Sequence, residues 1–274
     1  MAETVRYINS QGGTLTLSAS PSRYERGDGL DTWHVTPVWD ALISDEDDFA
    51  GYALGKTEWS LKFHVEGTSY ADARGTAAAW RKEFMNDVSR DAQGSFVIVH
   101  NGGTYTIDAA HATSEISGPD SNYIGITLKF ESKSPFWQYL PQQSTVSAFN
   151  GTAIVSVVWN NTGDYKTWPI HHITGVVNTP RITDVGTGHY IEIGTVTANA
   201  NDQIYVWTDS PLIRYYQNGT GAGVKTSGSN WTGYGGTASK FDALQVGAGA
   251  ARLTAAAGSA AYELLYDIRK AGIG

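Results

Sequence analysis

Only one stretch of this chain has the periodicity of an α-helix, and that restriction shapes everything else it can fold into. Ser69 stands where it can cap a helix, with Asp72 three residues later in the manner of a capping box. Ala73, Ala77, Trp80 and Phe84 then fall on one face, with Arg74, Arg81 and Lys82 away from it. The flanking segments repeat every second residue instead. Trp59, Leu61, Phe63 and Val65 alternate with Ser60, Lys62, His64 and Glu66; Ile124, Ile126, Leu128 and Phe130 alternate with Gly125, Thr127, Lys129 and Glu131. That is the signature of strands with one buried face. "SFVIVHNGGTYTIDAA" reads as a hairpin turning at Asn101-Gly102, and "VRYINSQGGTLTLS" as two strands around Gly12-Gly13. The piece at about 29–55 has no clean period and reads as a long loop or arm. The first half is therefore a β-sheet with one amphipathic helix laid on it.

The strand ending at Glu131 stops at Ser-Lys-Ser-Pro, because proline has no N–H to donate and restricts the residue before it. Directly after come Phe136, Trp137 and Tyr139, the candidate residues of a domain joint or interface. They either pack between two halves of the chain, meet a neighbouring subunit, or close the core of their own domain. A boundary here gives residues 1–140 and 146–274 as two domains. Beyond it only strands are legible: "AIVSVVW", "WPIHHITG", "YIEIGTV", "QIYVWT" and "AYELLYDIR", with turns at Asn160-Asn161, Thr187-Gly188 and Asn201-Asp202. Short strands at that spacing predict a β-sandwich. "QVGAGAARLTAAAGSAA" stands apart as low-complexity sequence.

Composition removes several functions. With 27 acidic against 19 basic residues the net charge is -8, which argues against a tight grip on nucleic acid. There is no cysteine, hence no disulfide, thiolate nucleophile or Cys-based zinc site. His171 and His172 are adjacent, so on a strand they point to opposite faces and cannot share a metal. The acidic run Asp45–Asp48 lacks the spacing of a calcium loop, and "GTGAG" at 219–223 has no strand–turn–helix frame for a phosphate. No catalytic residue, cofactor or metal is nominated, and the chain reads as a non-enzyme. No apolar run is long enough to cross a bilayer, and the N-terminus lacks a signal-peptide profile. Trp231 and Tyr234, in "SGSNWTGYGG", are the candidate sugar or partner contacts; they stack on a saccharide, meet another subunit, or fold back over the sandwich edge.

The order of these segments resembles the distal tail proteins of bacteriophages with long non-contractile tails. The resemblance rests on "WSLKFHVEG", the helix "SYADARGTAAAWRKEFM", the Asn101-Gly102 hairpin and the ending "LKFESKSPFWQY". It continues through "GDYKTWPIHHITG", "GHYIEIGTVTANANDQIYVWT" and "FDALQVGAG". At Val246 the chain departs from the family, which has proline before Gly247. The resemblance implies a structural virion protein at the phage tail tip, assembled in the host cytoplasm. It implies a hexameric ring formed by the N-terminal domain and a galectin-like C-terminal β-sandwich on the outside. Its partners would be the tail tube protein, the tail hub or tip protein and receptor-binding proteins. DNA would pass through without specific binding, as suits an acidic chain, and no membrane is involved. The alternative is a carbohydrate-binding module that attaches to the host surface, with Trp231 and Tyr234 as its stacking platform.

Overall fold

A computed structural model of the chain describes residues 4–18, 22–25, 35–40, 48–54, 57–117, 122–132, 134, 136–150, 154–194, 197–236 and 238–271. The chain divides into two compact units, Met1–Leu140 with Lys270–Gly274, and Pro141–Arg269. Strand Trp137–Asn150 carries the chain from one to the other.

In the first unit, Thr4–Ile8 lies between Thr14–Thr16 and Gly94–His100, all antiparallel. Gly94–His100 pairs in turn with the long strand Gly103–Ser117. Asn101 and Gly102, with φ of 47° and 81°, make the tight turn between them. A turn with positive φ at both central residues matches the right-handed twist of the two strands, and Asn-Gly is the pair that adopts it most readily. The first half of Gly103–Ser117 also pairs with Gln138–Leu140, and its second half, from Ala110, with Tyr123–Ser132 across an irregularity between His111 and Thr113. Thr57–Glu66 adds to Tyr123–Ser132 and carries Ser22–Glu25 on its other side. The segment read as a long loop or arm contains a two-stranded hairpin, Val35–Asp40 against Asp48–Leu54. Asp45, Glu46 and Asp47, part of the acidic run, lie outside the described residues.

Helix Tyr70–Val88 starts as its sequence predicts. The Ser69 hydroxyl accepts the Asp72 N–H at 3.2 Å, while the Asp72 carboxylate reaches back to the Thr68 N–H at 2.9 Å. Its buried residues are Ala73, Ala77, Trp80, Phe84 and Asp87. The first four join a core of aromatic rings: Phe63 against Trp80 at 4.8 Å, Tyr7 against Phe84 at 4.6 Å, and Trp59 stacked on Phe130 at 5.0 Å. Asp87 is the polar member of this face. The Tyr7 hydroxyl donates to one of its carboxyl oxygens, and the Ser10 N–H donates to the other at 2.8 Å. Burial first, then this bond, holds the Tyr7 phenol protonated far above its ordinary range. Gly94 leaves the room Tyr7 needs, since a Cβ there would lie 2.3 Å from the phenol oxygen. Tyr7→Phe strands a buried carboxyl oxygen, so urea unfolding should show a loss of about 1–3 kcal/mol.

The second unit is a β-sandwich. One sheet runs in the order Ser229–Asn230, Leu212–Tyr216, Gln203–Trp207, Ile170–Asn178, Ala257–Lys270 and Trp137–Asn150. The other runs Ile154–Asn161, Gly247–Thr254, Arg181–Asp184, Tyr190–Glu192. Ile173, Val177, Ile204, Val206, Tyr262 and Leu264 of the first sheet are buried, as are Val155, Val157, Ile182, Ile191 and Leu253 of the second. Two sequence expectations change here. The low-complexity segment is strand: Gly247–Thr254 pairs along the whole of Ile154–Asn161, and Ala257 opens the last strand. Asn160-Asn161 is a strand end and not a hairpin turn. Asn161 is fully buried, donating to the Tyr165 carbonyl at 3.0 Å and accepting the Gly163 N–H at 3.0 Å.

Candidate functional site

The residues singled out in the sequence fall in different surroundings. Trp137 is 3 % exposed and belongs to the core of the first unit, its ring 5.9 Å from that of Trp59. Phe136 is also buried, and Tyr139 is half-buried with its ring edge-on to Tyr105 at 5.4 Å. Trp231 lies parallel to Tyr215, centroids 4.1 Å apart, and its backbone N–H donates to the Ile213 carbonyl at 2.9 Å. Tyr215 is itself fixed by donating to Asp202 at 2.6 Å. Burial opposes ionisation of Asp202, but bonds from Tyr215 and from the Asn218 and Asn199 N–H groups outweigh it and hold the carboxyl below its usual range. The Tyr234 backbone closes a short turn from Thr232, and its side chain is outside the described residues. Trp231, just after the edge strand Ser229–Asn230, and Tyr215, on the neighbouring strand, thus form a stacked pair at the edge of one sheet.

His171 and His172 point to opposite faces, as adjacent strand residues must. His171 is buried against the Tyr262 hydroxyl at 2.7 Å. His172 meets Glu263 at 2.8 Å and Gln203 at 3.0 Å, with Tyr205 stacked on its ring at 4.1 Å. The "GTGAG" loop is tied down: the Tyr216 hydroxyl donates to the Val224 carbonyl at 2.6 Å, and Lys225 pairs with Asp209 at 2.7 Å. Among the described residues, no three His, Cys, Asp or Glu side chains are grouped to hold a metal ion. No described helix is long and apolar enough to cross a membrane.

A cavity among the described residues has room for a ligand. It is a groove of about 370 Å³ in the second unit, and the sequence marked none of its residues as a site. Trp159 comes from the strand Ile154–Asn161, and Lys166 and Trp168 from the connection that follows it. Asp184, Thr187 and His189 come from the hairpin joining Arg181–Asp184 to Tyr190–Glu192. Asp242 and Gln245 precede the strand Gly247–Thr254. Each wall is fastened. Thr167 and Leu244 exchange both backbone bonds, at 3.0 and 2.7 Å, so the Trp168 and Gln245 segments are locked side by side. Asp184 accepts the Gly186 and Thr187 N–H groups at 2.7 and 3.0 Å. His189 lies between the Asp242 carboxylate at 2.6 Å and the Lys240 ammonium at 3.2 Å. Because Lys240 can only donate, that arrangement leaves the imidazole proton on Nδ1, facing Asp242. Gly249 lies flush on Trp159, where a Cβ would come within 2.1 Å of the indole. Four segments distant in sequence build this groove, so no local motif could have announced it.

Two units of this make, a helix-bearing β-sheet followed by a β-sandwich, form a fold shared with solved phage baseplate and adsorption-apparatus proteins. The chain is similar along its whole length to the SPP1 Dit (gp 19.1) protein, whose crystal structure is described as a paradigm of the hub adsorption apparatus in phages infecting Gram-positive bacteria. That likeness has a TM-score of 0.64 and 13% identity, and covers 98% of this chain and 99% of the other. A chain of the phage p2 baseplate in its activated conformation matches with TM-score 0.53 and 11% identity, covering 97% of this chain and 98% of that one, in structures with calcium and with strontium. No family model and no curated protein matches the sequence.

Proposed function

We propose that this protein is a structural component of a phage tail tip, forming a hexameric ring at the distal end of the tail tube. The ring joins the tube to the baseplate hub and the receptor-binding apparatus. The observation that carries this reading is that the likeness to SPP1 Dit spans both units and leaves almost none of either chain unmatched. A shared sandwich alone would be weak support, since many unrelated functions use one. Residues 1–140 make the ring, and the hairpin Val35–Leu54 reaches a neighbouring subunit. The galectin-like C-terminal domain stands outside it. Phe136, Trp137 and Tyr139 mark the hand-over, where the buried Trp137 anchors the start of the strand leading into the outer domain. The net charge of -8 keeps DNA from sticking to the channel.

Negative-stain microscopy of the purified protein, alone and with its tail tube protein, tests this directly. Closed six-fold rings are expected, and particles that remain single under both conditions would overturn the reading. Deleting residues 29–55 should leave folded monomers by light scattering on a sizing column. Rings that survive that deletion would remove the hairpin from ring closure and leave the rest intact.

A further inference from the structure

We infer that the groove beside Trp168 is a binding site for a neutral saccharide, a function beyond the structural role proposed above and independent of it. The inference rests on which chemical groups the groove brings together. Saccharide rings present an apolar C–H face and a rim of hydroxyls that donate and accept. Their sites accordingly combine an aromatic plate with a few convergent polar groups. Trp168 is half-exposed at the groove, with the Lys166 ammonium 6.0 Å from its ring centroid. Asp242 and Asp184 supply acceptors, Lys166 supplies donors, and the Gln245 amide supplies both. The signs are mixed. Two carboxylates disfavour phosphate or a uronic acid, and the lysine disfavours a cation.

Volume and accessibility agree with this assignment. The groove, at about 370 Å³, falls in the range of about 300–1,000 Å³ common to small-molecule sites. Asp242 and His189 are paired yet keep 37 % and 39 % of their side chains exposed, so they are held in place without being sealed off. The bond to His189 and the locked Thr167–Leu244 pairing set the polar and aromatic walls before any ligand arrives. Such preorganisation lowers the entropy lost on binding. The Trp231–Tyr215 pair, stacked 2° from parallel, does not line this groove.

The test uses the full chain with ligand-observed NMR against the methyl pyranosides of glucose, galactose, mannose, rhamnose and N-acetylglucosamine, with inorganic phosphate as a further probe. At least one pyranoside is expected to bind with a millimolar dissociation constant. Trp168→Ala should weaken it by about tenfold or more, and Trp231→Ala should leave it unchanged. Asp242→Asn keeps the shape of the groove while removing a charge, so it should weaken the same sugar even where Trp168→Ala fails to fold. The inference is overturned if no pyranoside binds, if phosphate alone binds, if Trp231→Ala abolishes binding, or if the folded Trp168 and Asp242 variants bind as well as the wild type. Neither result bears on ring formation, which microscopy reads separately.

Discussion

Trp137→Ala is expected to destabilise the first unit by about 3–5 kcal/mol, the range for truncating a buried aromatic residue. The indole sits in a core of packed rings, next to Trp59, which is itself stacked on Phe130 and edge-on to Phe96 at 4.6 Å. Removing it opens a cavity among rings that belong to several strands, so the damage spreads through the unit. Hydrogen exchange on the full chain should show amides of Thr57–Glu66 and Gly94–His100 losing protection together. Those of Ile170–Asn178, in the other unit, should change little. Uniform loss across both units, or no loss in the first, would show that Trp137 does not serve that core.

The second large effect is a dependence of stability on pH through His171. Burial lowers the pKa of this imidazole from an ordinary 6.5 to about 4, opposed weakly by the nearby Asp184. As pH falls, the unfolded chain therefore takes up a proton near pH 6.5, while the folded chain refuses it until about pH 4. Stability contributed at this site is complete above pH 6.5 and drains away between there and pH 4, by about 3 kcal/mol in all. Denaturant unfolding at pH 7.5 and pH 4.5 should show the loss in the wild type. His171→Gln keeps a polar partner for the Tyr262 hydroxyl and has nothing to protonate, so its loss over the same interval should be smaller by roughly that amount. Equal losses in the two proteins would mean that the histidine is hydrated or charged in the folded state. Carboxyl groups such as Asp267, pushed up by burial, titrate in both proteins and cancel in the comparison.

The elements legible in the sequence are those whose side chains contrast in polarity from one position to the next. Thr57–Glu66 and Tyr123–Ser132 set large apolar residues against charged or small ones, so period 2 stands out and the paired register puts Trp59 opposite Phe130. The helix carries its own start signal in Ser69 and Asp72, and its buried face is the one its spacing predicts, extended by Asp87. Local chemistry also determined the Asn101-Gly102 turn and the opposed directions of His171 and His172.

Tertiary structure decided what that contrast could not express. Gly247–Thr254 is built largely of alanine and glycine, whose side chains differ too little to reveal a buried face. They serve because Trp159 packs down onto Gly249, a contact that exists only once Ile154–Asn161 is paired beside it. The hairpin Val35–Leu54 has no period of its own, and its strands are defined by the backbone bonds each makes with the other. Trp137 could not be assigned from sequence between a joint and a core, since both bury an indole; its ring lies 5.9 Å from that of Trp59, among the core residues of the first unit. The groove at Trp168 lies furthest from local reading. Its walls come from residues 159, 166–168, 184–189 and 242–249, brought together by a local hairpin and by antiparallel pairings whose partners lie about 70 to 100 residues apart. Spacing along a chain encodes the face of one helix or strand, whereas a site shared among several strands exists only after their order in the sheets is set.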